Sequence, residues 1–121
     1  INTSVAAYVL FNPAFTPKDT DAQINVMSHL RADLPPAIAF FGSEDRWKPG
    51  WDIMHQKLLS LGNTSAELWT AEGLVHGFYL QPPWPNITLA AIDRFLAQHG
   101  FLQGEPTLAP PASGEKLIKA P

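Results

Sequence analysis

Hydrophobic positions along this chain fall into two short unbroken runs, one strand-like stretch and two longer periodic stretches. Residues 5–11 read Val-Ala-Ala-Tyr-Val-Leu-Phe and are stopped by Asn12-Pro13. Residues 37–41 are fully apolar and end at Gly42, after Leu34-Pro35-Pro36 has broken the chain. Residues 66–71, Ala-Glu-Leu-Trp-Thr-Ala, are the third strand-like run, in which Leu68 and Trp69 fall on opposite faces of a strand. Short unbroken runs of strand-forming residues predict strands covered on both faces, as in parallel sheets.

The periodic stretches lie after the second and third runs. Trp51, Met54, Leu58 and Leu61 stand at i, i+3, i+7 and i+10, one face of a helix that starts at Pro49 or Gly50 and stops at Gly62-Asn63. Asn86 is expected to cap a second helix over residues 87–99, with Leu89, Ile92, Phe95 and Leu96 as its buried stripe and Gly100 as its stop. Residues 22–30 leave room for a short helical turn, and residues 103–121 show no periodicity and read as an extended or disordered tail. The order strand, turn, strand, helix, strand, helix predicts an α/β fold of parallel strands with covering helices. Three such strands alone would leave apolar edges open to pairing, so the sheet is expected to be incomplete. Its missing strands would precede Ile1 or belong to a separate chain.

Composition narrows the function. A chain of 121 residues is one domain or part of one, and 45% apolar residues are those of a globular protein. Only 16% of residues are charged and the net charge is −3, which disfavours nucleic acid as a partner. No apolar run approaches the roughly 20 residues of a membrane span. The absence of cysteine excludes disulfides, thiolate catalysis and Cys-ligated zinc. No His stands with a second His at i+4 spacing, so neither a metal nor another cofactor is expected. Sequons begin at Asn2, Asn63 and Asn86.

The chemistry sits at two strand ends. Residues 41–45, Phe-Gly-Ser-Glu-Asp, and residues 72–78, Glu-Gly-Leu-Val-His-Gly-Phe, each follow an apolar run. They place Asp45 and His76 in loops past the carboxyl ends of neighbouring strands, where open α/β sheets bind ligands. A Ser hydroxyl becomes a useful nucleophile only when a base takes its proton and a third group orients that base. His76 fits the base and Asp45 the orienter. Gly77 and Gly42 are expected to let the backbone turn sharply beside them. Each residue alone is an ordinary loop side chain; the order Asp, helix, His is what sets the pair apart. Trp47 and Phe78, with Tyr79 and Trp84, flank the loops and are expected to wall a substrate pocket, with simple packing as the alternative. No Gly-x-Ser-x-Gly occurs in the sequence.

Residues 36–49, Pro-Ala-Ile-Ala-Phe-Phe-Gly-Ser-Glu-Asp-Arg-Trp-Lys-Pro, with Leu-Leu-Ser-Leu-Gly at 58–62 and Ala-Glu-Gly-Leu-Val-His-Gly-Phe at 71–78, resemble the C-terminal section of α/β-hydrolases. The resemblance is to the esterase-like branch of acetyl-esterases and feruloyl-esterase-like enzymes, related to prolyl oligopeptidases, and spans residues 5–102. That branch ends the strand before its acid in Gly-Thr-x-Asp-x-x-x-Pro. Here residues 42–49 read Gly-Ser-Glu-Asp-Arg-Trp-Lys-Pro, so Asp45 rather than Glu44 matches the acid and His76 of His-Gly-Phe matches the base. The resemblance implies the C-terminal portion of an α/β-hydrolase domain over residues 1–102 and a tail over 103–121. It also implies a serine carboxylic-ester hydrolase whose nucleophile elbow and oxyanion loop lie upstream. The chain is then a fragment or subunit, inactive alone, whose partners are an ester substrate and the missing N-terminal half. A serine peptidase of the same fold and a non-catalytic interaction fragment are the alternatives.

Overall fold

Six consecutive residues, Ala37–Gly42, are all buried, and the computed structural model, which describes residues 4–14 and 16–121, sets them inside the sheet. In chain order the elements are β1 (Tyr8–Phe11), a 3-10 turn (Val26–His29), β2 (Ala37–Gly42), α1 (Lys48–Ser60), β3 (Ala66–Ala71), a second 3-10 turn (Phe78–Leu80), α2 (Trp84–Gln98) and β4 (Ile118–Lys119). The Asn2 sequon lies outside the described residues. Strands follow in the order β1-β2-β3-β4, with the first three parallel and β4 antiparallel to β3. Tyr8 stands opposite Ala37, and Ala37 opposite Ala66, so the three parallel strands start level; β1 ends opposite Phe40, two residues before β2 and β3 end together.

Alternation along β2 explains its unbroken apolar run. Ala37, Ala39 and Phe41 pack with Trp51, Met54 and Leu58 of α1, while Ile38 and Phe40 pack with Phe78, Ala91 and Phe95 on the other side. Each face therefore has its own core, and a polar residue at any β2 position would be stranded without water. Helix α1 buries Trp51, Met54 and Leu58 of the expected stripe and ends at Gly62, whose φ of 89° suits glycine. His55 is buried on the same helix, its Nε2 3.0 Å from the Ala66 carbonyl oxygen.

Helix α2 departs from expectation at its start and in its stripe. It begins at Trp84, with Pro85 in the first turn, so Asn86 is an exposed residue inside the helix and not its cap. The buried face is Ile87, Thr88, Ala90, Ala91 and Phe95, with Ile92 and Leu96 packed partly buried against the same core, so of the expected stripe only Leu89, 49% exposed, turns away. Alanines let the helix approach the sheet closely, and the Thr88 hydroxyl is satisfied within the helix by the carbonyls of Trp84 and Pro85, both at 3.0 Å. The Asn63 sequon is buried: its Nδ2 donates to the Leu34 carbonyl at 3.2 Å and its Oδ1 accepts from Ser65 N at 3.0 Å. That amide ties the segment leading into β2 to the segment leading into β3.

The residues after α2 run back along it. Backbone N–H groups of Thr107 and Leu108 both donate to Asp93 Oδ2 at 2.8 Å, and Leu117 packs against the α2-side core. Residues 118–119 then pair with Thr70 and Trp69, and Ala120 N donates to the Leu68 carbonyl at 2.8 Å. A strand of two residues leaves no period for a sequence to display. Among the described residues, no helix is long and apolar enough to cross a membrane.

Candidate active site

Three loops meet at the carboxyl ends of β1, β2 and β3. The β2 loop turns at once: Asp45 N donates to the Gly42 carbonyl at 3.2 Å, and Lys48 N to the Asp45 carbonyl at 3.1 Å as α1 begins. Asp45 is thereby turned inward, its side chain wholly buried. Trp47 N donates to Asp45 Oδ1 at 2.9 Å, and Asn12 Nδ2 donates to Asp45 Oδ2. The β3 loop runs through Gly73 and brings His76 over the same carboxylate, with Nδ1 2.9 Å from Oδ2.

A carboxylate oxygen already receiving an amide N–H accepts and does not donate, so the hydrogen between the two side chains belongs on Nδ1. Nε2 is then the lone-pair nitrogen. The imidazole is 54% exposed, and its one hydrogen-bond partner among the described residues is Asp45. The pair can therefore hold an imidazole in one tautomer, aim its basic nitrogen outward and stabilise the imidazolium formed by taking a proton.

The loops that carry Asp45 and His76 are stitched together. Glu44 N donates to the Leu74 carbonyl at 2.9 Å, and Gly73 N donates to Ser43 Oγ at 2.7 Å. Gly77 has φ of 81°, the left-handed conformation in which glycine follows the His without strain. Gly42 has a different reason from the expected sharp turn. A β-carbon there would lie 2.0 Å from the Leu74 carbonyl oxygen and 2.9 Å from Val75 N, so glycine is required by the close approach of the neighbouring loop. Gly42→Ala is expected to destabilise by about 3 kcal/mol, since backbone must move to admit the methyl. Because the atoms displaced lie one and two residues before His76, the Asp45–His76 contact should loosen as the melting temperature falls, and thermal unfolding run beside the proton NMR signal of His76 Nδ1–H checks both.

The structure brings Asp45 and His76 together, and it sends the two flanking aromatic rings apart. Trp47 packs against the α1-side core, with the Arg46 guanidinium 5.0 Å above its ring. Phe78 is buried in the α2-side core, edge-on to Trp84 at 5.4 Å and to Tyr79 at 6.1 Å. Both rings thus make packing contacts, on opposite faces of the sheet. Ser43 is committed to the Gly73 amide, and Glu44 is exposed. Asn12 was not among the residues singled out by sequence. Its only sequence signal is an Asn-Pro at a strand end, which reads first as a stop.

Neither a family model nor a curated protein matches the sequence. Solved structures do. Thermogutta terrifontis esterase 2 phosphorylated by paraoxon is 29% identical with a TM-score of 0.74, covering 83% of this chain and 42% of the esterase. The propionate-bound form of the same esterase, described as a novel thermophilic esterase from a Planctomycetes species, gives 26% identity and a TM-score of 0.76 over 87% of this chain and 47% of that one. Its butyrate-bound form gives 26% and 0.73 over 83% and 46%. The fold is thus that of an α/β-hydrolase-type esterase, and the chain resembles its C-terminal section. It spans less than half the length of the esterase chains it matches.

Proposed function

We propose that this chain supplies the acid, Asp45, and the base, His76, of a Ser-Asp-His triad in a carboxylic-ester hydrolase. The nucleophile comes from an upstream segment or a separate chain. The observation that carries the reading is the 2.9 Å contact from His76 Nδ1 to a buried carboxylate, with Nε2 left open. In the reaction, the Ser Oγ–H gives its proton to Nε2 as oxygen attacks the ester carbonyl carbon. The tetrahedral intermediate collapses when His76 returns that proton to the leaving alcohol, giving an acyl-enzyme. Water, deprotonated by the same nitrogen, then releases the acid. Asp45 keeps its charge throughout and favours the imidazolium in both halves. The esterase kinship supports the ester over the amide, and the propionate and butyrate bound to the T. terrifontis enzyme make short-chain acyl esters the substrates to try first.

With a p-nitrophenyl propionate substrate, the complete enzyme should turn over and the 121-residue chain alone should not exceed buffer. Turnover by the isolated chain would mean that it holds its own nucleophile. Hydrolysis of peptide amides but not esters by the complete protein would make it a peptidase of the same fold.

A further inference from the structure

The Asp45–His76 pair is held from a third strand. Asn12, the residue directly after β1, is buried, and its side chain bonds to both loops at once. Nδ2 donates to Asp45 Oδ2, the oxygen that faces His76 Nδ1, and Oδ1 accepts from Gly77 N, the amide just past the base, at 3.3 Å. Among the described residues, Asn12 is the one non-glycine with positive φ, at 46°. A residue before proline is normally extended, so this conformation is maintained against a local preference. Asn is among the few side chains that tolerate it. Its backbone N meanwhile continues the β1 ladder, donating to the Phe40 carbonyl at 2.9 Å, which fixes where the amide group starts.

We infer that Asn12 is a positioning residue of the acid–base pair: its amide orients the Asp45 carboxylate toward Nδ1 and pins the backbone that carries His76. The inference rests on the acid–base reading above and extends it to β1. An amide that donates to one partner and accepts from the other measures the gap between the two loops. Few side chains of similar size can do both, since Asp lacks the donor, Leu lacks both groups, and Ser is shorter. The oxygen it contacts is the one shared with the imidazole, so loss of this donor leaves Asp45 held only by the Trp47 amide and by the half-exposed His76 ring that it is meant to orient.

Asn12→Gly tests this cleanly, because glycine adopts positive φ without strain and removes the amide alone. In the complete enzyme, with active sites counted by an organophosphate that labels the nucleophile, kcat per site for p-nitrophenyl propionate should fall about 10- to 100-fold. KM should stay within about twofold, since Asn12 is buried and its amide is taken up by Asp45 and Gly77, and the proton NMR signal of His76 Nδ1–H should shift or broaden. Asn12→Asp, which sets a second carboxylate against Asp45, should lose more. Unchanged kcat per labelled site and an unchanged Nδ1–H signal in Asn12→Gly, with His76→Ala inactive, would overturn the inference and leave the acid–base reading standing. An active His76→Ala would instead remove the reading itself. Should Asn12→Gly give no labelled sites, Asn12→Ser is read by the same two measurements and the same criteria.

Discussion

His76→Ala in the complete enzyme is expected to lower kcat for a short-chain ester by about 10⁴-fold or more, with little change in melting temperature. The two halves of that expectation have separate causes. Activity falls because the acceptor for the nucleophile's proton has gone and nothing else stands at Nε2. Stability holds because the ring is half-exposed and leaves no cavity, and because Asp45 keeps N–H donors from Asn12 and Trp47. Stopped assays at high enzyme concentration, alongside thermal unfolding, measure both. A variant with normal rates would end the assignment of His76 as base.

Asp45→Asn should cost about 10² to 10⁴ in kcat, and it should also destabilise. The carboxamide has one oxygen to share among three N–H donors. If that oxygen keeps the Trp47 amide, the new NH₂ faces Asn12 Nδ2 and His76 Nδ1. Two donors then oppose each other, and the imidazole is pushed to the tautomer whose hydrogen sits on Nε2, where it blocks proton uptake. Glu44→Gln, one residue earlier and exposed, should stay within about twofold of the parent. The double variant of Asp45 and His76 should be little worse than His76→Ala, since the two act as a unit. Normal rates in Asp45→Asn together with an inactive Glu44→Gln would move the acid to Glu44.

Local pattern made much of this arrangement legible. The apolar run of β2 gave its bounds closely, because a strand buried on both faces cannot hide its composition, β3 fell where its strand formers stood, and α1 displayed its face through Trp51, Met54 and Leu58. The strand-end placement of Asp45 and His76 foretold that they would meet. What escaped was decided by contact rather than by pattern. Strand β1 is Tyr8–Phe11, shorter than the apolar run 5–11 that announced it, since pairing to β2 begins only at Tyr8. In α2 Phe95, Ile92 and Leu96 face the core as their spacing implied, but Leu89 does not, and Ile87, Ala90 and Ala91 take the sheet face instead. Gly42 and Asn12 owe their identities to a loop some thirty or more residues away, a relation that no window of sequence contains.

The two-residue strand β4 has a consequence for how far this layer can extend. A strand with unpaired N–H and C=O groups is a valence, and a sheet with two of them can polymerise without limit. Here Lys119, Ile118 and Ala120 occupy the β3 side over Leu68–Thr70, and a Lys119–Glu67 ion pair at 3.4 Å closes over the join. Among the described residues, β1 is paired only to β2 and β4 only to β3, so the layer's two edges are the four-residue β1 and the two-residue β4. The β4 edge offers only two residues and carries Lys119, both of which discourage pairing, so strand-wise association through this layer is expected beside β1.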